Sequence, residues 1–162
     1  MDDAPRGWFV PALSLALTLV LAVVPLPGAI EPFRPDWVAV VLLYWSLRAP
    51  RAFSLLTAFW MGLALDTLSD SLLGQHALAL LLIVYIAERF HLRLRVFPLS
   101  QLAVTVLLLL CLYEFVLFWV DGVAGRTVPL IERWAPPLTG TLVWVAMAQL
   151  LDRGRREARA RL

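Results

Sequence analysis

The sequence predicts an all-α membrane protein with six transmembrane helices. Hydrophobic residues make up 61% of the 162 residues and charged residues 16%, whereas soluble domains have about 45–50% and about 25%. The apolar residues form six segments, several of them close to the ~20 residues that cross a bilayer. We therefore expect a single six-helix transmembrane domain over residues 1–152 and a basic cytoplasmic tail over residues 153–162.

The arginines predict how these segments are oriented. If the six segments cross in order, one side of the membrane keeps Arg34, Arg126 and Arg133. The other side holds Arg6, Arg48, Arg51, Arg89, Arg93, Arg95, Arg153, Arg155, Arg156, Arg159 and Arg161. Because basic residues concentrate on the cytoplasmic side, the chain is predicted to be a multi-pass protein of the bacterial inner membrane with cytoplasmic N- and C-termini. The tail is expected to contact anionic membrane lipids, or alternatively to dock a cytoplasmic protein.

The first two segments are separated by a proline-rich outer loop. The first spans residues 8–24 and is interpreted as a retained helix, because Pro25 and Pro27 stand where a signal peptide would have its cleavage site. The second, over residues 36–47, starts with Pro35, Asp36 and Trp37. Proline in the first turn, a carboxylate at the positive end of the helix dipole and an interfacial tryptophan are typical of a helix start. This segment is short for a membrane span. We therefore expect that it lies where the bilayer is locally thin, that it is surrounded by protein, or that it is re-entrant and does not fully cross.

The third segment carries a row of small residues. Over residues 52–68, Ser54, Ala58, Gly62 and Asp66 recur every four residues, so that they share one helix face, and small residues there let another helix approach closely. The remaining segments are predicted over residues 76–88, 98–120 and 138–151. Between them we expect an inner loop over residues 89–97 and a long outer loop over residues 121–137.

Acidic residues gather at the predicted outer side, and Glu114 lies deepest among them. Charges at membrane depth face the bundle interior, a wet cavity or a partner. Glu114 is either part of an ion or proton relay or a substrate anchor, or it is paired with Arg34, Arg126 or a hydroxyl and locks helices together. We also hypothesise that Arg34 neutralises Asp36 or Asp66.

No residue set in the sequence predicts catalysis. His76 opens the fourth segment, where it is interpreted as a helix-start or hydrogen-bonding residue. A metal site would need convergent partners, and His91 is predicted on the opposite side. The serines lack a base in a triad-like arrangement, no phosphate-binding glycine loop is present, and the single cysteine, Cys111, excludes an internal disulfide. We expect no enzyme activity, no cofactor, no metal and no nucleic-acid partner.

Three motifs resemble the MreD family of rod shape-determining proteins. They are Arg34-Pro35-Asp36-Trp37, Gly62-Leu63-Ala64-Leu65-Asp66 and Ser71-Leu72-Leu73-Gly74-Gln75-His76. The resemblance implies a fold similar to the substrate-binding component of energy-coupling-factor transporters. It also implies a non-enzymatic scaffold of the bacterial cell-elongation complex, required for rod shape and lateral peptidoglycan synthesis.

The resemblance further implies partners. MreC is the implied direct partner. Through MreC, the chain would associate with the actin-like MreB, with RodA and with a class B penicillin-binding transpeptidase. The candidate partner-contact or helix-packing residues are Arg34, Pro35, Asp36, Trp37, Gly62, Asp66, Gly74, Gln75, His76 and Glu114. The alternative function is a small-molecule-binding membrane component of a transporter. A ligand-sized pocket lined by Asp36, Asp66 and Glu114 would favour that alternative, and packed side chains would favour the scaffold.

Overall fold

The structure, a computed structural model, describes residues 4–48, 55–69, 71–94 and 96–160, of which 4–8 and 151–160 are described by their backbone alone. Over these residues the chain forms six α-helices and no strand. In chain order the helices are α1 (Ala4–Val23), α2 (Trp37–Arg48), α3 (Leu55–Leu68), α4 (Gln75–Leu94), α5 (Leu99–Val123) and α6 (Leu130–Ala160). A short 3₁₀ helix, Glu31–Phe33, precedes α2. The predicted all-α class and the order of the six helices are confirmed.

Two predicted loops are partly helical. Helix α4 continues to Leu94, so Arg89, His91 and Arg93 lie on its last turns rather than in an inner loop. Helix α5 continues to Val123 and α6 begins at Leu130, which leaves residues 124–129 as the connection. Basic residues near a helix C-terminus interact favourably with the negative end of its dipole. The arginines of α4 therefore stabilise a helix that continues beyond the end predicted from hydropathy alone.

The helix α6 runs through two prolines that predict a break. Pro136 and Pro137 remove two backbone N–H donors from its interior. The hydroxyl of Thr141 donates to the carbonyl of Pro137 at 2.7 Å, and that of Thr139 donates to the carbonyl of Pro136 at 3.1 Å. The turn before the prolines is anchored by buried ion pairs of Arg133. The hydroxyl bonds lie within α6, whereas the ion pairs hold its first turns against α5, and the helix continues through the basic segment as far as Ala160.

The helix α2 is the centre of the bundle. It contacts α1, α4, α5 and α6, and every side chain from Val38 to Leu47 is buried. Its 12 residues span about 18 Å, well short of the ~30 Å hydrocarbon core of a bilayer. Because neighbouring helices cover it on all sides, α2 need not match the bilayer, and the predicted surround of protein is what the structure contains.

The small residues of α3 face α4. Ala58, Gly62 and Asp66 are buried in that contact, whereas Ser54, the first member of the predicted row, lies outside the described residues. A β-carbon on Gly62 would stand 2.2 Å from the Cα of Ala77 in α4. The absence of a side chain at position 62 therefore sets the distance between the two helices.

The outward faces of the peripheral helices are apolar. Large exposed side chains lie on α1, α3, α5 and α6, among them Phe9, Leu13, Leu56, Trp60, Leu108, Phe118, Leu142 and Leu150. Extensive apolar surface of this kind marks contact with lipid or another protein. Among the described helices, α5 is both long and apolar enough to cross a membrane, while Phe9–Val23 and Leu55–Leu68 are apolar but shorter.

Candidate functional site

Polar side chains converge at one end of the bundle. The C-terminal ends of α3 and α5 meet there with the N-terminal ends of α2, α4 and α6, as the contacts across these ends show. We call the group the polar cluster; its members are Asp36, Asp66, Gln75, His76, Glu114, Asp121 and Arg133. Most of these side chains are buried, so their partners inside the protein determine what the cluster can do.

Asp66 closes the turn between α3 and α4. Its carboxylate accepts hydrogen bonds from the backbone N–H of Gly74 at 2.7 Å and of His76 at 2.9 Å. It also contacts the Ser71 hydroxyl and the His76 ring nitrogen Nδ1, each at 2.9 Å. Gly74 has φ of +94°, a conformation that glycine adopts without strain. The predicted role of His76 as a helix-start hydrogen-bonding residue matches its position in α4.

Ser71, His76 and Asp66 form a structural group rather than a catalytic triad. In a triad the serine and the carboxylate bond opposite nitrogens of the imidazole, so that a proton can pass across the ring. Here Ser71 lies 3.2 Å and Asp66 2.9 Å from the same atom, Nδ1 of His76. The serine also donates directly to the carboxylate. The ring therefore has no path from the hydroxyl to the acid, and the three side chains hold the turn.

Arg133 of α6 joins two carboxylates of α5. Its Nη1 lies 3.1 Å from Oε2 of Glu114, and its Nη2 donates to Asp121. Glu114 and Asp121 are seven residues apart, two turns along one face of α5, which suits one guanidinium placed between them. Gln75 donates from Nε2 to Asp121 at 2.9 Å and so brings α4 into the same network. The expected helix-locking ion pair of Glu114 exists, but its partner is Arg133 rather than Arg34 or Arg126.

Asp36 and Glu114 bring α2 against α5. Their carboxyl groups are close enough to interact directly. Oδ2 of Asp36, Oε1 of Gln75 and Nε of Arg133 are buried and have no hydrogen-bond partner among the described residues. Buried polar groups are normally hydrogen-bonded, so these three atoms mark where the polar cluster does not satisfy its own hydrogen-bonding capacity.

The hypothesis that Arg34 neutralises Asp36 or Asp66 is wrong as a direct pairing. Its Nη1 donates to Glu31 at 3.0 Å and its Nη2 donates to the backbone carbonyl of Leu21. Glu31 also accepts a hydrogen bond from the N–H of Leu26 at 3.1 Å. Since Glu31 is only three residues away, this local pairing is made within the loop, and Arg34 ties the loop to the end of α1.

A cavity of about 200 Å³ opens beside the polar cluster. Its polar lining comes from Arg34, Asp36, Ser69, His76 and Tyr113. The remaining wall is formed by Ala22, Pro35, Trp37, Val38, Ala39 and Leu65. Of the three acids that were expected to line a pocket, Asp36 does so, while Asp66 and Glu114 are occupied by the contacts described above.

The structure gathers most of the candidate residues at this end. Arg34, Pro35, Asp36 and Trp37 lead into α2 beside the cavity, and Gly74, Gln75 and His76 lead into α4. Glu114 lies in α5, and Gly62 lies one turn along α3 from Asp66. Sequence reasoning missed Asp121 and Arg133, because it placed both in the outer loop over residues 121–137, with Asp121 at the start of the loop and Arg133 just before the prolines. The seven-residue spacing of Glu114 and Asp121 was the available signal for a shared cation.

Fold and site together define a class of protein. The described residues form a helical bundle with an apolar exterior, and at one end Arg133 pairs with the buried carboxylates of Glu114 and Asp121. Among the described residues, no three His, Cys, Asp or Glu side chains are grouped as a metal site requires.

Sequence comparison identifies the family. The sequence model described as rod shape-determining protein MreD matches residues 6–151, and the chain belongs to this family. The rod shape-determining protein MreD of Haemophilus influenzae is 32% identical over 114 residues, which cover 70% of each chain. No solved structure matches the chain. The expected fold similarity to the substrate-binding component of energy-coupling-factor transporters therefore has no support from known structures.

Proposed function

We propose that the chain is a non-enzymatic integral membrane scaffold of the bacterial cell-elongation complex, required for rod shape and lateral peptidoglycan synthesis. The observation that carries the proposal is the match to the MreD family over residues 6–151. The polar cluster supports it, because its buried acids are used to join α2, α3, α4, α5 and α6 rather than arranged around a reacting group.

In this proposal all six helices cross the inner membrane and both termini are cytoplasmic. The exposed apolar faces support the crossing. Arg48, Arg89 and Arg93 stand at the C-terminal ends of α2 and α4, opposite the polar cluster, which supports the orientation. The polar cluster and its cavity then face the periplasmic side.

The orientation is tested by cysteine labelling in a Cys111→Ser background. Gly28→Cys introduces a thiol in the loop after α1, where a β-carbon meets nothing within 4 Å. Arg93→Cys introduces one at the opposite end. We expect an impermeant maleimide to label the first variant in intact spheroplasts and the second only after permeabilisation. The reverse pattern would contradict the proposed orientation.

Partner association is tested by affinity purification from native membranes in mild detergent. We expect MreC, RodA and a class B penicillin-binding transpeptidase to co-purify with a tagged copy. Recovery of paired ATPases and a coupling membrane subunit instead would establish the transporter alternative and overturn the scaffold.

A surface variant sharpens this test. Leu73, in the turn between α3 and α4, is 75% exposed at the polar end, and Val123 at the end of α5 is 77% exposed. The first lies in the motif that resembles the family and the second does not. We expect Leu73→Ser to reduce recovery of MreC at an unchanged level of the protein, and Val123→Ser to leave recovery unchanged. Equal recovery with both variants would show that this turn is not the contact.

A further inference from the structure

Asp36 and Glu114 place two hydrogen-bond acceptors against each other. Their carboxyl groups contact one another where the start of α2 meets α5. Glu114 is buried, and so is Oδ2 of Asp36. An ionised carboxylate only accepts hydrogen bonds, whereas a protonated carboxyl group also donates one. Because two carboxylates in one buried site do not both ionise, this contact requires a positive charge between the two acids or a proton on one of them.

The neighbouring arginines do not stand between the two acids. Arg133 bonds Glu114 from Nη1 at 3.1 Å and uses Nη2 for another acid. Arg34 lines the nearby cavity but bonds Glu31 and a backbone carbonyl. Oδ2 of Asp36 has no hydrogen-bond partner among the described residues, and because it is buried it is closed to the cavity. A proton is therefore the species that fits between the two carboxyl groups.

Other groups that titrate or carry charge surround the pair. They are Glu31 and Arg34 before α2, Asp66 in α3, His76 in α4, Cys111, Tyr113 and Asp121 in α5, and Arg133 in α6. The described side chains of α1, over residues 9–23, contain none. The contact between His76 and Asp66 also depends on a proton, because the imidazole is charged only when protonated. A test of the pair must therefore separate it from His76.

We propose that Asp36 and Glu114 share one proton, and that this proton makes the contact between α2 and α5 sensitive to pH. While it is bound, the two acids form a hydrogen bond that carries one negative charge, beside the guanidinium of Arg133. When it is lost, two buried carboxylates face each other and the start of α2 is repelled from α5. The inference is independent of the scaffold proposal, since its test needs only the purified protein.

The test is equilibrium unfolding of the purified full chain in detergent from about pH 5 to about pH 9. Over this range the folded pair holds one proton that the two acids release on unfolding. The unfolding equilibrium constant should therefore rise about tenfold per pH unit, until the folded pair loses its proton. In Asp36→Asn the amide donates to Glu114 in place of the proton, so this rise should be absent and the variant should be the more stable protein at alkaline pH. Glu132→Gln is the matched control, since Glu132 is an exposed carboxylate at the same end of the bundle, and it should keep the rise.

An unchanged rise in Asp36→Asn would overturn the proposal. His76→Gln separates the second proton-dependent contact. This variant should keep the rise, and loss of the rise in His76→Gln alone would assign the proton to the contact of His76 with Asp66 and overturn the proposal as well. If Asp36→Asn does not fold, Glu114→Gln replaces it with the same expected result, since its amide donates to Asp36 while its oxygen accepts from Arg133.

Infrared spectroscopy detects the proton directly. At neutral pH, where exposed acids are ionised, the folded wild type should show the carbonyl band of a protonated carboxyl group. The band should disappear at the alkaline pH at which the rise in the unfolding constant ends, and it should be weaker in Asp36→Asn than in Glu132→Gln. A folded wild type without such a band would overturn the proposal, whether or not the variants fold.

Discussion

Gly62 and Ala77 bring the backbones of α3 and α4 into direct contact. A β-carbon at position 62 would lie 2.2 Å from the Cα, 2.5 Å from the N and 2.9 Å from the Cβ of Ala77. Two of these atoms belong to the backbone, which cannot rotate away as a flexible side chain can. The contact therefore requires glycine, and it lies one helical turn from Asp66, so it also sets the position of the polar cluster.

Gly62→Ala is expected to lower the free energy of unfolding by about 1–3 kcal/mol, because the helices must separate to admit the methyl group. Gly62→Leu should be worse and should disturb rod shape in cells that depend on this copy. Thermal unfolding in detergent measures the first effect and cell morphology the second. Gly122→Ala is the control, since a β-carbon there meets nothing within 4 Å, and alanine favours a helix. Wild-type stability of Gly62→Ala would show that the helices separate at no cost.

Arg133→Gln is expected to destabilise the protein by about 3–5 kcal/mol, because it leaves the buried carboxylates of Glu114 and Asp121 without their cation. Arg133→Lys should recover part of the loss, since it restores charge but cannot bond two carboxylates with a planar fork. Thermal unfolding measures both. Arg126→Gln changes an exposed arginine in the preceding loop and should have little effect. If Arg133→Gln and Arg126→Gln were equally stable, the ion pairs would not hold α5 to α6.

Asp66→Asn is expected to cost about 1–3 kcal/mol, because an amide has one acceptor oxygen where the carboxylate uses two. The bond from Gly74 N–H to Oδ2 or the contacts of Oδ1 must be lost. The turn between α3 and α4 should then be cut faster in limited proteolysis. Ser71→Ala removes one of these bonds and should have a smaller effect. An Asp66→Asn turn as resistant as the wild type would contradict its role in closing the turn.

A charge exchange between Arg34 and Asp66 is expected to give no rescue. Arg34 bonds Glu31 and Leu21, and Asp66 bonds the turn before α4, so the two side chains share no contact. The double variant Arg34→Asp, Asp66→Arg should be at least as unstable as the less stable single variant, since effects at sites without shared partners add. Thermal unfolding of the two single variants and the double variant tests this expectation. If the double variant recovered stability, the hypothesis that Arg34 and Asp66 pair directly would be supported again.

Much of the architecture could be predicted because hydropathy and helix-start chemistry are local. The apolar segments gave the number and order of the helices, and Pro35, Asp36 and Trp37 marked the start of α2. The four-residue recurrence of Ala58, Gly62 and Asp66 predicted a face for close helix approach. Each of these signals depends on residues within a few turns of one another.

The ends of the last helices could not be predicted in this way. Pro136 and Pro137 locally favour a break, and the packing of α6 on α5, on α2 and on the 3₁₀ helix, together with the ion pairs of Arg133, stabilises the helical course. Gly140 lies in that contact, where its missing side chain leaves room for Leu110 and Val40. Tertiary contacts of this kind routinely override local preference.

The sequence by itself determined the all-helical class, the order of six helices, the gathering of acids at one end and the family. Only the tertiary structure decided which cation serves which acid. Arg34 and Arg126 were as plausible as Arg133 along the chain, because ion pairing depends on distances of a few ångströms between side chains of different helices. Those distances follow from the rotation and spacing of packed helices, which Gly62 and the buried α2 set.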